Sequence, residues 1–83
     1  ALDFFLKAIR LNPDFKNYYN AGVSVFKLKE YEKAVHFIKQ ALHLNKQFIL
    51  GHLLLAQIYQ HLNQDEKTEI YLKNIIKLDP NHK

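Results

Sequence analysis

The sequence predicts an all-α protein, a right-handed superhelix built from repeated pairs of antiparallel helices. The pentapeptide at residues 11–15 recurs in related form at 44–48 and 78–82, at steps of 33 and 34 residues. Apolar residues also recur at helical spacing in five segments. The chain has only two glycines and two prolines, which leaves little room for long loops. A fixed period of this length is typical of a solenoid, in which each unit buries its apolar face against its neighbours.

Two further patterns follow the same period. An Ala-x3-Phe-x2-Ala pattern at residues 1–8 is matched by Ala-x3-Ile-x2-Ala at 34–41 and by Thr-x3-Leu-x2-Ile at 68–75. Between them, Tyr-x2-Ala-Gly-x2-Val at 18–25 is matched by His-x2-Leu-Ala-x2-Tyr at 52–59. The repeat therefore extends over nearly the whole chain.

Residues typical of helix starts and of tight turns predict where the helices begin and end. Asn12-Pro13-Asp14 introduces the second helix, because proline is tolerated in a first turn and aspartate is a good cap. Asn63 suits a tight turn, since asparagine tolerates left-handed backbone angles. The fourth segment is apolar almost all round, which predicts a helix covered on more than one side. The five predicted helices span about 1–11, 15–28, 31–44, 48–62 and 65–78.

Small residues are expected where helices approach closely. Gly22 and Ala34 fall in the middle of the second and third helices, and Ala41 lies two turns beyond Ala34. Glycine inside a helix costs about 1 kcal/mol relative to alanine, so Gly22 is expected at a tight contact. In the last repeat Thr68 and Ile75 replace the two alanines, which predicts looser packing there.

These residues resemble the tetratricopeptide repeat. That family carries an aromatic residue, a Leu-Gly pair and a tyrosine on the first helix of each unit, then Ala-x3-Phe-x2-Ala on the second and a following proline. On this resemblance residues 1–83 form one domain. It comprises the second helix of a truncated repeat at 1–14, a full repeat at 15–48 and another at 49–82.

This chain departs from the family pattern at three positions. His52 stands where the aromatic residue is usual, Val25 replaces the tyrosine, and Lys46 replaces the proline. Each substitute is compatible with helix packing, and we expect His52 to pack between helices. The departures leave open which subfamily the chain resembles most.

The resemblance implies a non-enzymatic module for protein–protein interaction. In such proteins the first helices line a concave groove that binds a peptide or helix of a partner. Lys16 and Asn20 resemble the start of a clamp for a C-terminal carboxylate, but Leu50 and Leu54 occupy the matching positions of the next unit. A competing interpretation is that these leucines are covered by a helix of a longer chain or by a second copy. The implied groove residues are Lys16, Tyr19, Asn20, Val23, Phe26, Lys27, Leu50, Leu53, Leu54, Gln57, Gln60 and His61.

The net charge of +4 raises the alternative of single-stranded RNA binding, which related helical repeats perform. Acidic residues, however, begin the predicted helices and basic residues end them, as helix dipoles favour. Most of the basic excess is explained in this way. The leucines at the groove positions also argue against base recognition.

Catalytic and metal-binding patterns are missing from the sequence. The chain has no cysteine, and Ser24, its only serine, has no neighbouring histidine or acid. His36 and His43 lie about 10 Å apart along one helix, too far for one ion. No apolar stretch approaches the roughly 20 residues of a membrane span. We therefore expect no metal and no cofactor, and leave open a regulatory role within a larger enzyme.

The two ends of the repeat array are expected to promote self-association. The first helix lacks its own partner helix, which predicts partial exposure of Phe4, Phe5 and Ile9. At the other end Ile70, Ile75 and Ile76 lack the polar cap that solenoids normally carry. Dimers or larger homo-oligomers built on these ends are the expected result, with helix exchange as one route.

Overall fold

The computed structural model of the protein describes residues 2–79, with the side chains of Leu2 and Phe5 excepted. Expectations for Ala1, for the Phe5 side chain and for residues 80–82 therefore lie outside the described part. Within 2–79 the chain forms five helices and no strand, which confirms the predicted class. The helices are α1 (Leu2–Leu11), α2 (Phe15–Lys27), α3 (Tyr31–Leu44), α4 (Ile49–His61) and α5 (Asp65–Leu78).

The helices pack in chain order as antiparallel neighbours: α1 on α2, α2 on α3, α3 on α4 and α4 on α5. Their bounds follow the prediction closely, with two differences. The second helix ends at Lys27, one residue early, because the turn begins at Leu28. The fourth is one residue shorter at each end, since Phe48 is extended as the N-cap residue and Leu62 belongs to the following turn.

Side-chain hydrogen bonds fix the start of α2, and the cap predicted for Asp14 is confirmed. The Asp14 carboxylate accepts a hydrogen bond from the backbone N–H of Lys16 at 3.4 Å and so caps the helix. The Asn17 amide donates to the carbonyl of Asn12 at 2.8 Å and to that of Ala8 at 3.5 Å. Asn17 thereby attaches the end of α1 to the first turn of α2.

Two matching turns reverse the chain within the helical pairs. Lys29 has φ 63° and follows α2, while Asn63 has φ 59° and follows α4. In the first turn the N–H of Glu30 donates to Val25 and that of Lys29 donates to Phe26. This is the Schellman arrangement, which uses one left-handed residue to satisfy the last helical carbonyls. The left-handed conformation predicted for Asn63 is confirmed.

The core lies between α2, α3 and α4. Val25, Ala34, Ile38 and Leu55 are fully buried, and Tyr71 of α5 packs against this cluster. The prediction that α4 is covered on more than one side is also confirmed. Its buried residues extend over more than half of the helix circumference: Gly51, His52, Leu54, Leu55, Ala56, Ile58 and Tyr59.

Small residues occupy the closest helix crossing. A Cβ placed on Gly22 would lie 2.8 Å from Ile38 Cγ1 and 3.4 Å from Phe37 Cβ. Ala34 and Ala41 are fully buried in α3. The expected packing role of Gly22 is therefore confirmed.

Exposure at the two ends agrees only in part with expectation. Phe4 is 69%, Ile70 54% and Ile76 63% exposed, whereas Ile9 is half-buried. The expected exposure of Ile75 is wrong, because this residue occupies the position of Ala41 one repeat later and faces α4. The self-association expected from these ends stays a prediction.

Candidate interaction surface

The sequence-predicted groove residues all lie on α2 and α4, which begin two successive helical pairs. We call the surface that they form the α2–α4 face. Its exposed residues are mostly polar or charged, with two leucines among them. The half-buried members are Tyr19, Val23 and Phe26. The exposed members are Lys16, Asn20, Lys27, Leu50, Leu53, Gln57, Gln60 and His61.

Aromatic contacts connect α2 to the residue that precedes α4, near the starts of the two helices. The ring of Phe48, just before α4, lies 4.9 Å from Phe15 and 5.1 Å from Tyr19, edge to face in both cases. Such geometry matches the favourable arrangement of ring quadrupoles. Phe48 therefore closes one end of the cleft between α2 and α4.

A second aromatic cluster connects α2, α3 and α4 at the other end of the α2–α4 face. His61 of α4 stacks on Tyr31 of α3 at 5.1 Å, with the two rings only 9° from parallel. Phe26 of α2 contacts both rings, at 5.6 Å from His61 and 5.7 Å from Tyr31. Of the predicted groove residues, Phe26 and His61 are thus brought into direct contact.

The prediction that Leu54 lies on this face is wrong. Its side chain is only 6% exposed and belongs to the core cluster with Leu55 and Ile58. The neighbouring Leu53 is 37% exposed and Leu50 is 51% exposed. The repeat spacing placed Leu54 among the groove residues. Because α4 is packed on both sides, however, this side chain is buried in the core. The accessible large apolar surface of the face is therefore Leu50 and Leu53.

Sequence reasoning missed three residues of this region: Phe15, Tyr31 and Phe48. Each is an aromatic residue at or beside the first position of a helix. That placement was the available signal, since a residue at a helix start can reach the neighbouring helix across a short loop. Their contacts place aromatic rings at both ends of the α2–α4 face.

An apolar pocket between α4 and α5 adjoins the face and shares Leu50 and Leu53 with it. Its volume is about 360 Å³. Leu72 and Ile76 are 44% and 63% exposed, so this surface remains accessible. We call it the α4–α5 pocket, and it is lined by Ile49, Leu50, Leu53, Leu72, Ile75 and Ile76.

His52 is a packed residue, as predicted. It is 7% exposed, its ring lies 5.9 Å from that of Tyr71, and its Nε2 lies 2.9 Å from the Lys46 carbonyl. Because a carbonyl can only accept, Nε2 carries the proton in this contact. Nδ1 is buried without a hydrogen-bond partner. Among residues 2–79 no three His, Asp or Glu side chains gather as a potential metal site.

Tyr71 has a perturbed ionisation. Burial raises the pKa of its hydroxyl above 10.0, and the nearby Tyr59 adds to the rise, whereas the positive charge of Lys39 lowers it. The rings of Tyr59 and Tyr71 stack at 5.7 Å, 15° from parallel. Both tyrosines serve the packing of α5 against α4, away from the α2–α4 face.

The family model for the tetratricopeptide repeat matches residues 15–48 and 51–82, which together cover most of the chain. The chain belongs to the tetratricopeptide repeat family. Such repeats are generally modules for protein–protein interaction, and their helical fold carries no catalytic apparatus of its own. Within residues 2–79, no helix has the length and apolarity needed to cross a membrane.

A curated relative shares the repeat sequence. The chain is 30% identical over 84 residues to UDP-N-acetylglucosamine--peptide N-acetylglucosaminyltransferase from Giardia intestinalis. The match covers 100% of this tetratricopeptide repeat chain but only 6% of that protein. The chain therefore corresponds to a small part of the enzyme's length.

Two solved structures share the fold. "MamA AMB-1 P212121" superimposes with a TM-score of 0.89 at 24% identity, over 100% of this chain and 46% of that one. "MamA AMB-1 C2221" gives 0.88 at 25% identity, over 95% of this chain and 47% of that one. Both structures are tetratricopeptide repeat solenoids, and this chain spans less than half of either.

Proposed function

We propose that the α2–α4 face binds a segment of a partner protein through aliphatic side chains seated on Leu50 and Leu53. The observation that carries this proposal is the exposure of these two leucines, 51% and 37%, on a face whose other exposed residues are polar or charged. The two leucines belong to one apolar patch, because both line the same pocket, and a contiguous apolar patch rimmed by polar residues favours an interaction site. The partner segment binds as an amphipathic helix or as an extended strand.

The charges around the face favour one acidic group in the partner. Lys16 and Lys27 are exposed at opposite ends of the part contributed by α2. Charges at the rim of an interface mainly affect the association rate, whereas apolar anchors dominate the affinity. Lys16→Ala should therefore weaken binding by about 1 kcal/mol or less, and more at low salt.

A full carboxylate clamp is not the proposed mode. Lys16 and Asn20 lie one helical turn apart and are both exposed, as a clamp needs. The matching positions of the next repeat are the exposed Leu50 and the buried Leu54, which offer no donor to a carboxylate. The aliphatic anchors, and not a chain terminus, are the expected determinants of specificity.

The test begins with peptides selected from a random display library against the whole 83-residue chain. Their affinities are then measured for the wild type and for Leu53→Ser and Leu44→Ser. Leu44 is a matched control, because it is 51% exposed but lies on α3, outside the α2–α4 face. We expect Leu53→Ser to weaken binding at least tenfold and Leu44→Ser to leave it unchanged. Equal affinities for all three folded proteins would refute the proposal.

The glycosyltransferase relative supports a second candidate function. Its match runs over the whole of this chain, and its name describes transfer to a peptide. On this candidate the α2–α4 face holds the peptide acceptor for a catalytic region elsewhere in a longer protein. Transfer of N-acetylglucosamine to peptides by the full-length protein, reduced by Leu53→Ser and not by Leu44→Ser, is the expected result. A full-length protein without transferase activity would exclude this candidate and leave the first one intact.

A further inference from the structure

A second pocket between α4 and α5 carries basic and amide side chains. Its volume is about 340 Å³. Asn74 and Lys77 of this pocket lie on the side of α5 away from Leu72, because side chains on one side of a helix are three or four residues apart. The pocket shares no residue with the α4–α5 pocket or the α2–α4 face, so it is independent of the function proposed above. We call it the basic pocket, and it is lined by Lys46, His52, Asn74, Lys77 and Leu78.

The charged side chains at the basic pocket are positive. Lys46 and Lys77 are exposed, and within residues 2–79 neither forms a salt bridge. Lys39 of α3 adds positive charge nearby, since it acts electrostatically on the Tyr71 hydroxyl of α5. The carboxylate nearest to Lys77 in the sequence is that of Asp79, which has an interaction of its own. Two ammonium groups at one pocket favour an anion that carries two negative charges.

Two helix ends meet at the basic pocket. Lys46 and His52 flank the first turn of α4, and a helix N-terminus carries a partial positive charge. Lys77 lies in the last turn of α5, where the helix dipole leaves a partial negative charge. The two partial charges have opposite signs and offset each other. The lysine side chains therefore set the sign of the electrostatic potential in the pocket.

His52 holds Lys46 at the edge of the basic pocket. Its Nε2–H donates to the Lys46 carbonyl at 2.9 Å, and its ring is 7% exposed and packs 5.9 Å from that of Tyr71. The loop at Lys46 is thereby attached to α4. Both residues depart from the tetratricopeptide repeat pattern, in which an aromatic residue is usual at position 52 and a proline at position 46. The two departures contact each other at this pocket.

The lining side chains supply the hydrogen-bond donors that a phosphate group needs. Each lysine ammonium carries three donors together with its charge, and lysine commonly binds phosphate in proteins. The Asn74 amide carries two more donors. Because Asn74 is half-buried, its side chain has less freedom to lose on binding than an exposed one. Leu78 is half-buried as well and offers an apolar contact beside these donors.

We propose that the basic pocket binds the phosphate group of a small organic phosphate monoester, held by Lys46, Asn74 and Lys77. Such a group carries a charge of about −1.5 to −2 at pH 7, which the two ammonium groups balance. A carboxylate carries only one negative charge and binds more weakly. The pocket is larger than a phosphate ion and leaves room for the organic group beside Leu78. His52 is a positioning residue that acts through Lys46.

The test titrates the ¹⁵N-labelled 83-residue chain with phenyl phosphate, inorganic phosphate and benzoate at about pH 7.5 and constant ionic strength. With phenyl phosphate we expect saturable shifts, largest at the amides of Lys46, Asn74 and Lys77. Inorganic phosphate should bind at least threefold more weakly, and benzoate, which has the same ring and one charge, at least tenfold more weakly.

Three outcomes of this titration would overturn the proposal. Benzoate binding as tightly as phenyl phosphate would show that the phosphate group is not recognised. Inorganic phosphate binding as tightly as phenyl phosphate would assign the pocket to the free ion instead of a monoester. Shifts centred on Leu72 and Ile76 would place the phenyl ring in the α4–α5 pocket.

Protein variants locate the binding site. Lys46→Gln and Lys77→Gln should each weaken the binding of phenyl phosphate at least fivefold. Lys73→Gln is the matched control and should leave the affinity unchanged. Lys73 is an exposed lysine of the same helix, but it pairs with Glu69 at 3.0 Å and does not line the pocket. An equal loss of affinity in all three variants would show general attraction to positive charge and would overturn the proposal.

Two measurements separate binding from stability. His52→Phe introduces the aromatic class usual in the repeat and removes the hydrogen bond to Lys46, so the chain should stay helical and bind phenyl phosphate at least threefold more weakly. Unchanged affinity in a folded His52→Phe protein would overturn the positioning role. Lys77 also complements the dipole of α5. A Lys77→Gln protein that melts at a lower temperature but binds phenyl phosphate as tightly as the wild type would assign Lys77 to that role alone and overturn the proposal.

Discussion

The side chain of Ile38 lies against the backbone of Gly22 where α2 crosses α3, and it leaves no space for a side chain at position 22. A Cβ on Gly22 would lie 2.8 Å from Ile38 Cγ1, and Ile38 is fully buried. This crossing explains a glycine in the middle of a helix, where it costs about 1 kcal/mol relative to alanine. The close approach of the two helices offsets that cost.

Gly22→Leu should lower the free energy of unfolding by about 2 kcal/mol, because the added side chain overpacks the crossing. Asn20→Leu, an exposed position on the same helix, should change it by no more than about 0.5 kcal/mol. Urea denaturation followed by circular dichroism measures both. An unchanged unfolding free energy for Gly22→Leu would contradict the tight contact.

Lys29→Gly should raise the free energy of unfolding by about 1 kcal/mol. Lys29 has φ 63°, a left-handed conformation that is costly for a residue with a Cβ and free for glycine. Lys46→Gly is the control, since Lys46 is an exposed loop residue outside the left-handed region. There glycine only increases the freedom of the unfolded chain and should lower stability. A loss of stability in both variants would refute the strain at Lys29.

Leu54→Asp should unfold the chain, while Leu53→Ser should leave it folded. Leu54 lies in the core at 6% exposure, so a charge there loses its water without gaining a partner. A loss of more than about 4 kcal/mol is expected for the aspartate. Leu53, 37% exposed, should cost about 1 kcal/mol or less. Circular dichroism and thermal melting distinguish the two neighbours, and a folded Leu54→Asp protein would argue against the burial.

Stability should fall as the pH rises above about 10, partly through Tyr71. Burial raises the pKa of this tyrosine in the folded state, so the unfolded chain loses the proton first on the way up. The stability that Tyr71 contributes in this way is complete at pH values below its pKa in the unfolded chain. It is lost as the pH rises through its pKa in the folded protein. Tyr71→Phe should therefore make the alkaline decline shallower.

Lys39→Gln should have the opposite effect to Tyr71→Phe on the loss of stability at alkaline pH. The charge of Lys39 lowers the pKa of Tyr71, so its removal should raise that pKa further and enlarge the decline. Denaturation curves at about pH 8 and pH 11 compare both variants with the wild type. Identical pH dependence in all three proteins would show that Tyr71 contributes nothing to it.

The helices themselves could be predicted because the signals that place them are local. Asp14 caps α2 through its own side chain, and Asn63 adopts the left-handed turn that its residue type favours. Lys29 occupies the same position one repeat earlier, yet lysine gives no such signal. There the hydrogen bonds of Lys29 and Glu30 to Phe26 and Val25 impose the conformation on an unfavourable residue.

The candidate site could be predicted only in part, because its details depend on packing. The periodicity places both Leu53 and Leu54 on α4. Because the sequence of this helix is apolar almost all round, it does not indicate which of the two leucines is buried in the core. The loop before α4 spans residues 45–48, one residue longer than the loop at 12–14. Phe48 is the last residue of that loop, and its contact with Phe15 and Tyr19 follows from the folded arrangement of α2 and α4.

The burial of α4 on both sides has a consequence for how the molecule opens. Leu55 and Ile58 share one core with Val25 and Ile38, while Tyr59 stacks on Tyr71 of α5. Neither helical pair can separate without exposing residues of the other, so the amide protons of α4 should exchange with solvent only when the whole chain unfolds. The amides of α1, which packs mainly against α2, are free to exchange through fraying of that helix alone.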